Sequence, residues 1–297
     1  MHTSLPRSLC LWLAVALTVL GGCGRKQQKR IIVGSKFFTE QVVLAELLAQ
    51  HIEARAGIPV ERKTNLGGTL LVQKAMLAGG LDLYVEYTGT ALTAVLNETP
   101  QGDAKSVYER VKKEYGDRFG FEVTEPLGFE NTFAMVIRGD DAKKLNLQKL
   151  SDITVLASKW KAGVGYEFLE RPDGFPGLCQ RYSLKFAEKP RVMDLGLIYR
   201  ALLDRQVDLV AGNSTDGLIS ALGLVALEDD RRYFPPYDAV PIVRKATLER
   251  FPSLRGALAE LAGKVTAADI RQMNYAVDGM HREPAAVVSD FRKAKGL

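Results

Sequence analysis

The chain has 297 residues, of which 46% are hydrophobic and 25% charged, with 40 Lys and Arg against 35 Asp and Glu. The net charge of +5 is mild and spread along the chain, and no Arg-rich block appears, so nucleic-acid binding is set aside. Three scattered His (His2, His51, His281) and three Cys offer no metal-ligand spacing and no Cys/His pair, so no cofactor is expected.

The first elements belong to targeting. "MHTSLPRSLCLWLAVALTVLGGC" has a basic start at Arg7 and an apolar run from Leu9 to Leu20. About a dozen apolar residues are too few to cross a bilayer. Leu20-Gly21-Gly22-Cys23 has the pattern of a bacterial lipoprotein signal, predicting a cut after residue 22 and a lipid on the Cys23 thiol. The alternative is an ordinary secretory peptide cut nearby. Residues 23–30, with "GRKQQKR", then read as the lipidated cysteine and a polar tether. The expected location is the extracytoplasmic face, lipid-anchored to the membrane. Loss of Arg7 leaves 39 basic against 35 acidic residues, a mature charge of +4. Cys179 would stand alone, so no internal disulfide is expected.

"RIIVGS" (30–35) reads as a strand, and "TEQVVLAELLAQHIEAR" (39–55) as a helix with Val43, Leu47, Leu48 and Ile52 on one face and Thr39 as N-cap. "GIPVERKTN" is a second strand, 66–80 a helix, and "LDLYVEYTGTAL" a third strand and turn. Strands alternating with helices argue for an α/β fold with mainly parallel sheets. Two stretches repeat. "KAMLAGGLDLYVEYTGT" (74–90) matches "RALLDRQVDLVAGNSTD" (200–216), and "VGSKFF" (33–38) matches "VGYEFL" (164–169). Nearly equal offsets predict two lobes of similar design. "TFAMVIR" and "AVPIVR" read as strands following the crossings between them. Lobe I is expected over 31–131 plus 237–297 and lobe II over 132–236, with a ligand cleft between. "GLISALGLVAL" reads as a helix capped from "GNSTDG". Asp229 and Asp230 read as solvated or hinge-stabilising.

"GSKFFTE" falls where the first strand ends and a helix begins. Free N–H groups there attract anions, and Lys36 adds a full charge. The plainer alternative is capping by Ser35 and Thr39 with packing by Phe37 and Phe38.

The stretches "VGSKFFTEQ", "LGGT", "DLYVEYTGT", "ENTFAMVIR", "YEFLERPDG", "VDLVAGNSTDG" and "LEDDRRYFPPYDAVPIVR" come in the order found in a known family. The chain resembles the substrate-binding proteins of ABC importers for glycine betaine, choline and related osmoprotectants, over about residues 30 to 290. The resemblance implies a two-lobed type II periplasmic-binding-protein fold that closes on its ligand. It implies a monomer that hands a small zwitterion or quaternary amine to an ABC permease, with ATP spent by a separate subunit. It also implies ligand contacts at Lys36, Thr69, Tyr87, Thr90, Phe133, Arg171, Asn213, Thr215 and Tyr237. A quaternary ammonium donates no hydrogen bond and is held by aromatic faces, while a carboxylate needs cationic or N–H donors. Arg171 stands where the family often binds a carboxylate, or else it pairs with Glu167 or Asp173. Betaine binders commonly carry Tyr at the position of Phe133 and an aromatic at that of Asn213, so the box lacks one ring. Tyr166 or Tyr84 could replace it, although Tyr84 alternates poorly with Tyr87 and is expected to face the core.

Two other classes compete. An enzyme on the same fold finds no G-x-S-x-G, H-E-x-x-H or Cys/His arrangement in the chain. A sensor reporting a different small polar solute to a membrane receptor would need a partner for signalling.

Overall fold

The computed structural model describes residues 30–100 and 102–297; the expected signal segment, Cys23 and the tether up to residue 29 lie outside them. Ten strands follow in chain order: β1 (Ile31–Gly34), β2 (Val60–Lys63), β3 (Leu83–Tyr87), β4 (Phe121–Val123), β5 (Phe133–Arg138), β6 (Ala162–Val164), β7 (Arg191–Val192), β8 (Leu209–Asn213), β9 (Leu224–Leu227) and β10 (Ala239–Arg244). They form two five-stranded sheets, one ordered β2-β1-β3-β10-β4 and the other β7-β6-β8-β5-β9. The two lobes therefore share one topology. β1 and β6 hold the second place in their sheets, and β3 and β8 the third. These are the strands on which the two sequence repeats fall.

Both sheets are mixed. In each, four strands run one way and one is reversed, β10 in the first and β5 in the second. The reversed strands are those that follow a crossing between lobes. Such a strand starts at the cleft end of its sheet, so it must run against neighbours that finish there.

The repeated Asp-Leu has a physical cause. Asp82 Oδ2 accepts the Ile32 N–H at 2.8 Å, and Asp208 Oδ2 accepts the Lys161 N–H at 3.0 Å. Each aspartate sits just before the third strand and pins the chain beside it. Each also holds an arginine, Arg250 at Asp82 and Arg138 at Asp208, both at 2.8 Å.

Each sheet buries both faces. In β3, Leu83 and Val85 point into a core with Leu44, Leu48 and Val243, while Tyr84 points to the other side among Val72, Val111 and Ile242. In β5, Met135 and Ile137 face one core and Ala134 and Val136 the other. Strands buried on both faces read as continuous apolar runs, as "FAMVI" does.

Four local expectations are corrected. Thr39 does not cap the first helix, which spans Thr39–Ala56 behind Phe38; its hydroxyl donates to Asp278 Oδ1 at 2.6 Å. The helix expected over 66–80 is confined to Thr69–Leu77. "GLISALGLVAL" is not one helix: it ends at Ala221, Gly223 turns at φ +63°, and Leu224–Leu227 is β9. A left-handed glycine interrupts the helix and frees the apolar run to pair. Asp229 is not a solvated charge. Its carboxylate accepts the Tyr182 hydroxyl and the N–H groups of Tyr233 and Phe234, which shapes the segment leading back to β10. No helix among the described residues is long and apolar enough to cross a membrane.

Gly89, in the helical turn after β3, has no room for a side chain. A Cβ there would lie 2.6 Å from the Pro236 carbonyl and 2.6 Å from the Tyr237 ring. Gly89→Ala is expected to cost about 1–3 kcal/mol, the scale of overpacking, read as a lower urea midpoint at constant slope.

Candidate ligand-binding site

Strand ends build a cavity between the lobes. Lys36, Phe37 and Phe38 follow β1, and Tyr87 and Thr90 come at the end of β3. From the second lobe come Gly165, Glu167 and Phe168 after β6, Asn213 at the end of β8, and Arg171 and Leu195. Asn131, Phe133 and Tyr237 join from the crossings. The cavity holds about 50 Å³.

Rings dominate the wall. Phe133 sits 4.5 Å from Phe168 and meets Tyr237 edge-on at 6.0 Å between centroids. Phe38 stacks on Tyr87 at 6.5 Å, and Phe37 stacks on Tyr166 at 5.9 Å. Two protein cations already lie over these rings: Lys36 Nζ is 5.1 Å from the Tyr87 centroid, and the Arg171 guanidinium is 5.0 Å from that of Phe133.

Both cations are paired. Lys36, buried, donates to Glu86, whose carboxylate also takes the Tyr84 hydroxyl and the Tyr87 N–H. Arg171 grips Asp173 through two bonds of 2.8 and 2.5 Å and reaches Thr90 Oγ1 at 3.1 Å. Asp173, not Glu167, is thus the partner of Arg171. Tyr237 donates to the same Asp173 at 2.5 Å. Burial alone would push Asp173 up, but the Arg171 guanidinium and the Tyr237 hydroxyl hold it below the usual carboxylate range. Buried charges require such pairing.

The helix mouth after β1 does hold a carboxyl group, and it is the protein's own. Glu40, in the first turn of the Thr39–Ala56 helix, is buried and accepts four side-chain hydrogen bonds. They come from Tyr87 at 2.6 Å, Asn131 at 2.9 Å, Thr215 at 2.5 Å and Asn274 at 3.0 Å. No cation pairs with it in the structure's ion pairs among the described residues. Burial raises its pKa despite the four donors. Asp216 nearby accepts the Tyr199 hydroxyl and the Asn213 N–H, and burial pushes it up to about 6, with Glu40 and Asp278 adding repulsion.

Of the residues singled out from sequence, Lys36, Tyr87, Thr90, Phe133, Arg171, Asn213 and Tyr237 line the cavity. Thr69 and Thr215 are not among its lining residues. The Thr69 N–H donates across the cleft to Glu167 at 2.7 Å, and the Thr215 hydroxyl goes to Glu40. Tyr84 faces the core, with its hydroxyl toward Glu86, while Tyr166 is 45% exposed at the cleft rim. Sequence reasoning did not propose Glu40, Asn131, Glu167 or Phe168 as site residues. The repeat carried the signal for two of them. Its offset places Glu167 opposite Lys36 and Phe168 opposite Phe37, and it pairs Asn213 with Tyr87.

Residues 29–294 match the family model described as the substrate-binding domain of ABC-type glycine betaine transport systems. The chain belongs to this family. It is 35% identical to the carnitine transport binding protein OpuCC of Listeria monocytogenes, over 92% of this chain and 89% of that one. It is likewise 35% identical to the glycine-betaine-binding protein of Pseudomonas aeruginosa, over 99% and 95%. A solved glycine betaine/carnitine/choline ABC transporter structure superposes with a TM-score of 0.76 at 30% identity, over 90% of this chain and 98% of the other. The two-lobed fold is that of periplasmic binding proteins, and the family is one of transport substrate-binding proteins.

Asp216 gives a pH test. Its folded pKa of about 6 lies above the ordinary 3.8, so its contribution to stability is full below that ordinary value and is lost as pH rises through about 6. Asp216→Asn should therefore flatten the fall in stability between pH 4.5 and 7, measured as urea midpoints of both proteins.

Proposed function

We propose that this chain is the extracytoplasmic, lipid-anchored substrate-binding protein of an ABC importer. It captures a betaine-like quaternary ammonium or another small zwitterion and delivers it to a membrane permease. The supporting observation is the small cavity between the lobes, walled by aromatic rings and by two internally paired cations. The named ligands of the two relatives, carnitine and glycine betaine, both carry a quaternary ammonium and a carboxylate, and that chemistry suits this wall.

In this reading Phe133, Tyr87 and Tyr237 face the cationic or apolar end of the ligand. Lys36, Arg171 and Thr90 hold its anionic or polar end, with Asn213 beside it. Thr69 and Thr215 act from behind, by joining the lobes. Lobe I comprises residues 31–131 and 237–297, lobe II residues 132–236, and the protein works as a monomer. Closure expels water and strengthens both cation–π and charge-assisted contacts.

Calorimetry with glycine betaine, choline and carnitine should give one-to-one binding, and small-angle scattering should show a smaller particle at saturation. Phe133→Ala should weaken binding by about 1–2 kcal/mol, the scale of a desolvated cation–π contact. Unchanged affinity together with an unchanged radius would reject the reading. The anchor is tested separately. Cys23→Ala should move the protein from the membrane to the soluble fraction, and mass spectrometry of the native protein should find lipid on an N-terminal Cys23.

A further inference from the structure

We propose that the ligand carries a hydroxyl group in addition to its cationic head, and that Asn131 Oδ1 accepts the hydrogen bond from that hydroxyl. This deepens the functional reading above and rests on it. Asn131 is 6% exposed and lines the cavity. Its Nδ2 donates to Glu40 Oε1 at 2.9 Å. A carboxylate oxygen accepts, so this bond fixes which end of the amide faces Glu40 and turns Oδ1 away from it. Asn131 Oδ1 is buried and has no hydrogen-bond partner among the described residues. Buried carbonyl oxygens are nearly always satisfied.

The wall does not supply the missing donor. Its strongest donors already face acids of the protein: Lys36 meets Glu86, Arg171 and Tyr237 meet Asp173, and Tyr87 meets Glu40. A ligand must then bring one. Glycine betaine cannot, because its nitrogen bears no hydrogen and its carboxylate only accepts. An alcohol can. A site built to bond a hydroxyl rejects the analogue that lacks it far more strongly than an apolar pocket rejects an extra methylene.

The test uses two matched pairs on the mature chain by calorimetry. Carnitine is compared with γ-butyrobetaine, which lacks only the hydroxyl, and choline with its methyl ether. The hydroxyl-bearing member of at least one pair should bind at least about tenfold tighter. Asn131→Ala should bring the two members of that pair within about threefold of each other. Loss of the bond to Glu40 affects both members alike, so a purely structural role leaves the ratio unmoved. Asn131→Leu, close to Asn in volume but without an acceptor, should also bring the pair within about threefold, and urea midpoints of both variants show whether either is poorly folded. A preference below tenfold in both pairs, or one that survives Asn131→Ala, overturns the proposal and leaves water as the partner of Oδ1. In that case the functional reading stands as long as the probes bind. If none of the four probes binds the unsubstituted chain but glycine betaine does, the proposal falls and the functional reading stands; if glycine betaine fails as well, both fall.

Discussion

The arrangement depends on one buried carboxylate. Glu40 offers about four acceptor positions, and each is filled from a different part of the chain. Tyr87 ends the third strand of the first sheet, Asn131 lies on a crossing, Thr215 follows the third strand of the second sheet, and Asn274 lies on the C-terminal helix Ala267–Asp278. Taking a carboxylate out of water costs several kcal/mol. Hydrogen bonds to a charged group return about 1.5–3 kcal/mol each, so no single donor could offset that cost. The raised pKa of Glu40 means that even four leave the charge less favoured than in water. Of the four donors Thr215 alone belongs to the second lobe, so the full set is assembled only where the lobes meet, and this ties the chemistry at the helix mouth to the relative position of the lobes.

The same economy governs the cavity. Lys36 and Arg171 are drawn out of solvent, yet each keeps a carboxylate partner within the protein. Each also lies over an aromatic ring that faces the cavity. The wall therefore presents rings and neutralised pairs rather than bare charge, which suits a solute whose own charges nearly cancel. The pseudo-symmetry of the lobes reaches this wall with altered chemistry. Where one lobe offers Lys36, Phe37 and Tyr87, the other offers Glu167, Phe168 and Asn213. A twofold scaffold has thus been given two unlike ends, as a head-to-tail zwitterion requires.

Much of this was legible in the sequence because it rests on local pattern. Apolar runs gave the strands, and the repeats around Asp82 and Asp208 gave the two-lobe design through a structural device, an aspartate that pins the chain beside it. Quoted motifs brought seven of the cavity residues into view. Glu40 was missed because a glutamate in the first turn of a helix looks like an ordinary dipole-favouring residue. Its role comes from Asn131, Thr215 and Asn274, up to 234 residues away in the chain. Thr39 looked like a cap for the same reason, and only its distance to Asp278 shows otherwise. The break at Gly223 was hidden because short apolar runs fit a helix or a strand equally well.

The crossing segments carry a mechanical consequence. They lie side by side and antiparallel: Glu130 bridges Asp238, Asn131 N–H bonds the Tyr237 carbonyl at 3.1 Å, and Ala239 N–H bonds that of Phe129 at 3.0 Å. A laced two-stranded ribbon flexes across its flat face, where no bond is stretched, and resists sliding in its own plane, where every bond is. In the closure proposed above, such a ribbon would confine one lobe to a single swing about one axis against the other. Thr215, the Glu40 donor from the far lobe, would then return to the same acceptor on every stroke.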